Sequence, residues 1–365
     1  MAPDSADGSR RESDISWEEM LLGHPPRMTK EQIAEESGAP NELTDRLWHA
    51  LGFPLVEDDE ALFTDADLAA LRRVQALLGA GVAEETALSM TRALARTTDR
   101  LAVWQTQLLA ELYTPHELTD ASPTAEDLSE GVDPAAAVKD TRTVANRAIA
   151  EAAARELVRI SGDLEPLLIF AWRRHLTAAV TRMLADATPD IPSSAPSRIV
   201  GFADLVSFTS LVRRMSERQL GRVVQRFEVL ASDVVTAHGG RVIKTVGDEV
   251  LFVHTDPAAA AAIALDLVEA MSDDPLLPAV RVGMAYGRVV SRLGDVFGLT
   301  VNRASRLTAV TPDGRVHVDE PLAALLRSVS GFEVTPARRR ILRGIGPVRP
   351  GELRRHSSER RFNAP

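Results

Sequence analysis

Six polar residues in the C-terminal half of this sequence could do chemistry together: Asp204, Lys244, Asp248, Asp295, Asn302 and Arg306. Two aspartates on neighbouring strand ends are what a two-metal phosphate site needs, because hard divalent cations take carboxylate oxygens. Asp204 closes the strand-like run Gly201-Phe-Ala-Asp204, and Asp248 sits in Gly247-Asp248-Glu249. That tripeptide separates two β-rich runs, Val242–Val246 and Val250–Val253, and the whole reads as a hairpin with an acidic tip. An acidic tip alone is ordinary, since hairpin tips face water, and the second carboxylate is what gives it meaning. Lys244 precedes Asp248 by four residues. Even spacing puts two residues on one face of an extended strand, but here the turn intervenes and lets them diverge. Asp295 lies in the turn Gly294-Asp-Val-Phe-Gly298, while Asn302 and Arg306 are four apart and share a helix face. Taken singly, a strand lysine or a helical Asn and Arg is usually surface decoration.

The elements that must position these residues follow from hydrophobic period and breakers. Strand Arg198–Leu205, helix Ser216–His238, the hairpin, helix Pro257–Ser272, strand Ala279–Tyr286, helix Val301–Val310 and strand Gly314–Asp319 succeed one another. Valine- and isoleucine-rich strands alternating with helices give an α/β or α+β domain over 198–355, with a tail at 356–365. Ahead of it, 188–197 is a Pro/Ser-rich linker. Residues 20–187 read as an all-α domain and 1–19 as a polar, disordered tail. Thr29 with Gln32 forms a capping box and Gly38 closes that helix. A second helix runs from Pro40 to Gly52, and Thr64-Asp-Ala-Asp opens a third. Ala83–Leu112 and Pro134–Leu184 are long and helical, joined by a Pro- and Gly-bearing loop over Thr114–Asp133. A helix–turn–helix arrangement is open for the first helices, but Asn41–Leu51 offers only Arg46 and His49 against Glu42 and Asp45. A DNA reader needs more basic charge there, so a small bundle is the better reading.

Composition narrows the rest. The chain has 365 residues, 45% hydrophobic and 26% charged, room for two globular domains. It has no cysteine, so any metal must be held by oxygen or imidazole ligands. Net charge of −10 argues against wholesale nucleic-acid binding. No apolar run approaches a membrane span, and the polar first residues lack a signal core. The expected location is the cytoplasm.

With its motifs laid out, the second domain resembles the class III nucleotidyl cyclases. Phe202-Ala-Asp204, Lys244-x-x-Gly-Asp248-Glu, Asp295-x-Phe-Gly298 and Val301-Asn302-x-Ala-Ser-Arg306 stand in that family's order and at its spacing. The resemblance covers about 198–355 and implies a ferredoxin-like palm fold. It also implies Asp204, Asp248 and the backbone carbonyl of Leu205 as ligands of two Mg²⁺ or Mn²⁺ ions. Lys244 and Asp295 would read the base, Asn302 would orient the ribose, and Arg306 would stabilise charge at the α-phosphate. Lysine with aspartate is the adenine pair, so the implied substrate is ATP and the product 3′,5′-cyclic AMP with pyrophosphate. Donor and acceptor match adenine's Watson–Crick edge and mismatch guanine's. The chemistry implied is metal-assisted attack of the ribose 3′-hydroxyl, with no side-chain nucleophile. In this family the site forms between two chains. One supplies Asp204 and Asp248, the other Lys244, Asp295, Asn302 and Arg306, so a homodimer would build two sites.

Further expectations attach to the flanks. Arg343, in Leu-Arg-Gly-Ile-Gly346, resembles the position where the family places a triphosphate-binding cation, although a basic edge strand is the plainer reading. Ser207 stands where family members often have glycine; serine is small, and activity is expected to survive. The helical N-terminal domain resembles that of soluble actinobacterial cyclases, some of them pH-responsive. It is expected to regulate through the segment Trp172–Asp190. There His175 follows Arg173-Arg174, and histidine is the side chain that titrates near neutrality. Two rivals remain: a diguanylate-type cyclase, suggested by Gly247-Asp248-Glu249, and a DNA-binding regulator with a dead cyclase domain.

Overall fold

The computed structural model describes residues 17–53, 60–113, 134–186, 196–292 and 294–356. The expected tail at 1–19, the loop at 114–133 and the linker at 188–197 fall largely outside them, although Ser197 already opens the first strand. The chain divides into compact units at Arg182–Met183.

The first unit is helical: α1 (Trp17–Leu22), α2 (Lys30–Ser37), α3 (Asn41–Leu51), α4 (Asp65–Gly79), α5 (Glu84–Leu112) and α6 (Pro134–Asp186), which runs into the second unit. Capping boxes at Thr29 and Thr64 open α2 and α4, and left-handed Gly38 and Gly52 close α2 and α3. Met28, Ile33, Leu47, Phe63, Leu71 and Leu88 form its core. Arg46, the arginine of α3, is drawn into an ion pair with Glu84 of α5. Among the described residues no helix is long and apolar enough to cross a membrane.

The second unit is built on a seven-stranded sheet. Its first half is β1 (Ser197–Leu205), α7 (Phe208–Val212), α8 (Glu217–Ala237), β2 (Arg241–Val246), β3 (Glu249–His254), α9 (Pro257–Asp273) and β4 (Val280–Arg288). Strand order β2-β3-β1-β4, antiparallel throughout, is the ferredoxin-like arrangement of a βαββαβ unit. The fold class is thus α+β. After it come β5 (Val290–Arg292), β6 (Asp295–Phe297), α10 (Leu299–Val310), β7 (Val316–Val318), α11 (Glu320–Leu326), β8 (Phe332–Pro336), β9 (Arg340–Leu342), β10 (Gly346–Val348) and β11 (Gly351–Arg355). Strand β7 joins β4 in parallel, and β11 and β8 extend the sheet antiparallel.

The two faces of the sheet are unequal. One packs Ile199, Ala203, Phe252, Val282 and Val318 against Phe227 of α8 and Ile263 and Leu267 of α9. The alternate residues Val200, Phe202, Leu251 and Ala285 point the other way, onto Ala304 of α10. Helix α10 sits very close to β4: a Cβ on Gly283 would lie 2.3 Å from the Thr308 nitrogen, so only glycine admits the helix there.

His317, on β7, is 3% exposed, and its Nδ1 has no hydrogen-bond partner among the described residues. Burial holds its pKa below the ordinary 6.5, Arg340 and Arg315 push the same way, and Glu352 opposes. A base depressed in the fold binds its proton more readily when unfolded. Its stabilising share is therefore present above pH 6.5 and lost as pH falls below it. The second unit's unfolding temperature is expected to fall between about pH 7.5 and 5, and His317→Gln to remove part of that fall. An identical slope in the variant would refute the assignment.

Candidate active site

All the candidate residues of the sheet lie on the face that α10 covers only in part. Asp204 follows Val200 and Phe202 on that face, and its cross-strand neighbours are Glu249 of β3 and Arg281 of β4. These make a row, Glu249–Asp204–Arg281. Arg281 donates from Nε to Asp204 Oδ2 at 2.7 Å, and its second guanidinium nitrogen lies 2.6 Å from the same oxygen. Leu205 donates its backbone N–H to the Asp248 carbonyl at 3.0 Å, which ties the hairpin tip to the end of β1.

Charge accumulates in this corner. Burial raises the Asp204 carboxyl, and the Asp248 charge adds to the rise against the pull of Arg281. Burial also pushes the Glu249 carboxyl up to about 7, with Asp204 and Asp248 contributing and Arg281 and Lys244 opposing. Burial, with the neighbouring carboxylates adding to it, raises Asp204 and Glu249, and a bound cation would offset both effects. Among the described residues no three acidic or imidazole side chains converge as a ready-made cage. The expected donor set, two carboxylates and the Leu205 carbonyl, consists of hard oxygens of the kind Mg²⁺ and Mn²⁺ take, and suits a metal that keeps water or phosphate oxygens for its other positions.

Lys244 reaches the same face through an irregularity. The pairing of β2 with β3 slips between Val242 and Lys244, a bulge that sets Lys244 opposite Leu251 rather than one residue out. Its Nζ lies 2.6 Å from Asp295 Oδ2, at the start of β6. Burial would raise the Asp295 carboxyl, but hydrogen bonds from Lys244 and the Val296 N–H, with the lysine charge, hold it below the ordinary range. Arg241 steadies the same turn by donating to the Gly294 carbonyl at 3.3 Å.

Asn302 and Arg306 share the outer face of α10, exposed, with no side-chain partner among the described residues. Arg343 stands exposed in the turn between β9 and β10, a hairpin whose β9 packs on α10. His175 is an exposed residue of α6 in the helical unit. The structure therefore joins Asp204 to the hairpin tip and Lys244 to Asp295, and leaves Asn302, Arg306 and Arg343 reaching outward.

One residue escaped the sequence, and another, already noted there, shows a conformation the sequence did not reveal. Arg281 alternates with Val280 and Val282 and reads as the solvent side of a strand; only the β1–β4 register brings it to Asp204, 77 positions away. Ser207 adopts φ 58°, the one positive φ outside glycine among the described residues. The glycine common at this position would meet no Cβ clash there. Ser207→Gly is expected to stabilise the second unit by about 0.5–1 kcal/mol, the relieved strain less the extra freedom of the unfolded chain. A thermal melt checks it, and a lower transition temperature would contradict it.

Residues 194–356 match the adenylate and guanylate cyclase catalytic domain family, and residues 16–135 match the adenylate cyclase regulatory domain family. An adenylate cyclase of Glutamicibacter nicotianae is 36% identical over 94% of this chain and 82% of that one. An adenylate cyclase of Streptomyces coelicolor is 38% identical over 97% and 93%. A pH-sensitive adenylate cyclase of Mycobacterium tuberculosis is 33% identical over 89% and 77%.

Proposed function

We infer that this chain, which belongs to the adenylate cyclase family, converts ATP to 3′,5′-cyclic AMP and pyrophosphate. The ribose O3′ attacks the α-phosphorus, the bond from that phosphorus to the β-phosphate oxygen breaks, and the 3′-hydroxyl proton is released. The observation that carries the adenine reading is the Lys244–Asp295 contact of 2.6 Å. It sets a donor and an acceptor side by side, matched to N1 and the 6-amino group of adenine; guanine presents the reverse order.

Asp204, Asp248 and the Leu205 carbonyl would hold Mg²⁺ or Mn²⁺, two per site. Bound there, the metals supply Lewis-acid polarisation of the 3′-hydroxyl and α-phosphate and neutralise the leaving pyrophosphate. Arg281 stands beside these carboxylates, and its guanidinium is available to phosphate oxygens once Asp204 turns to a metal. Asn302 orients the ribose, Arg306 meets the charge that develops at the α-phosphate, and Arg343 takes the triphosphate from the β9–β10 turn.

The site needs a second copy. Asn302 and Arg306 reach away from the fold, and Val246, Phe297, Leu299 and Ile341 stand exposed around the same region, an apolar rim that a partner would cover. A homodimer with two equivalent sites satisfies both. The helical unit regulates the catalytic one, with pH as one candidate signal and His175 as the candidate sensor; removing residues 1–190 should change the rate or its pH profile. ATP as substrate puts the enzyme in the cytoplasm.

The deciding assay incubates purified protein with ATP or GTP and Mn²⁺ and identifies the product. Cyclic AMP from ATP alone is expected. Cyclic or dimeric guanylate from GTP would overturn the base assignment, and no product from either would leave a binding regulator as the better reading.

A further inference from the structure

We propose that the ion pair between Arg303 and Asp319 is a positioning latch for the reaction. It fixes the seat of α10, and with it the reach of Asn302 and Arg306. The proposal rests on the cyclase reading and gives a role to two residues outside the six candidates.

Asp319 caps α11 from the end of β7 and is 6% exposed. Its Oδ1 accepts the N–H of Leu322 at 3.0 Å and the N–H of Tyr286 at 3.2 Å. Its Oδ2 accepts from Arg303 Nη1 at 3.0 Å, and its own N–H donates to the Met284 carbonyl at 3.0 Å. One buried carboxylate thus pins β4, α11 and α10 together.

Arg303 follows Asn302 directly and precedes Arg306 by three. Neighbours on an α-helix project about 100° apart. Arg303 can therefore turn inward to Asp319 while the flanking pair faces out. The other polar anchors of α10 include hydroxyls, Thr300 Oγ1 donating to the Arg288 carbonyl at 2.8 Å above Gly287 and Thr308 lying over Gly283, and a longer contact of 3.5 Å from Arg281 Nη1 to the Ala309 carbonyl in the last turn. Those contacts set how close the helix lies to the sheet. A guanidinium held by a fixed carboxylate adds rotation about the helix axis, because charge-assisted bonds are short and directional. A small rotation of α10 would swing both outer side chains off their targets, and misplacements of this size are costly in positioned reactions.

The fold should survive loss of the arginine, since Asp319 keeps its two backbone donors. The test uses the full chain with Arg303→Met, Arg303→Lys, Asp319→Asn and the Met/Asn double variant, assayed for cyclic AMP from ATP with Mn²⁺. Arg303→Met is expected to lower kcat roughly tenfold to a hundredfold, with KM for ATP within about twofold. Arg303→Lys should recover most of the rate, and the double variant should be no slower than Arg303→Met. An unchanged kcat in Arg303→Met overturns the latch, as does a loss that multiplies in the double variant or that Arg303→Lys fails to relieve. The unmodified chain is the control: its failure to make cyclic AMP would take down the cyclase reading itself, whereas an active parent with an equally active Arg303→Met defeats only the latch.

Discussion

Asp204→Asn is expected to slow cyclic AMP formation by about a thousandfold, corresponding to about 4 kcal/mol of transition-state stabilisation. The substitution keeps the shape of the side chain and one acceptor for Arg281, so the fold should persist. What disappears is one of the three carboxylates, Asp204, Asp248 and Glu249, that gather at the end of β1. A second readout separates metal loss from misfolding. Millimolar Mn²⁺ should raise the unfolding temperature of the parent chain, because a ligand bound only by the folded state stabilises it by mass action. The same addition should leave Asp204→Asn where it was. Asp248→Asn should behave alike. A variant that retains more than a tenth of parental activity, or that still responds to Mn²⁺, would remove Asp204 from the metal site.

Mixing two nearly inactive chains should restore activity. On the proposed reading Asp204→Asn spoils the metal side of the site and Asn302→Ala the ribose side. If each site takes one side from each protomer, the mixed dimer has one doubly damaged site and one intact site. With random pairing, half the dimers are mixed, and about a quarter of the parental activity should return. If a single chain built a whole site, the mixture would give no more than the sum of its parts. The physical reason to expect the first outcome is the one-sided sheet. Helices α8 and α9 fill one face, whereas the other keeps Asn302 and Arg306 without side-chain partners among the described residues. The mixture should be prepared by co-expression or by dissociation and reassociation, since preformed dimers exchange only as fast as they come apart.

Much of this architecture was legible because it is local. The valine-rich runs of β1, β3 and β4 follow the strand period, and α8 and α9 follow the helix period with Ser216 and Asp256 as caps. Helix α10 starts two residues before the expected Val301, and β4 runs on to Arg288 past the expected Tyr286, the usual uncertainty of element ends. What was not legible is long-range. The even spacing of Lys244 and Asp248 says nothing of the bulge that aims the lysine at Asp295, 51 positions on. Arg281 carries no local signal either, and Asp319 signals only a helix cap, since their partners Asp204 and Arg303 arrive only when the sheet forms. Strands β8 to β11 are three to five residues long, too short for a period to stand out, and the sequence showed there only a run of arginines.

The salt bridge between Lys244 and Asp295 also bears on how the enzyme treats the wrong nucleotide. Each partner already satisfies the other at 2.6 Å, so a base must separate them before it can use either. On the proposed reading adenine offsets that separation with two hydrogen bonds. Guanine would separate the charges and then confront the lysine with a donor and the aspartate with an acceptor. The pocket thus sets a threshold as well as a fit. Selectivity of this kind should weaken at high salt, where the bridge is screened and opening it costs less. A rise in GTP turnover relative to ATP with ionic strength would be its signature.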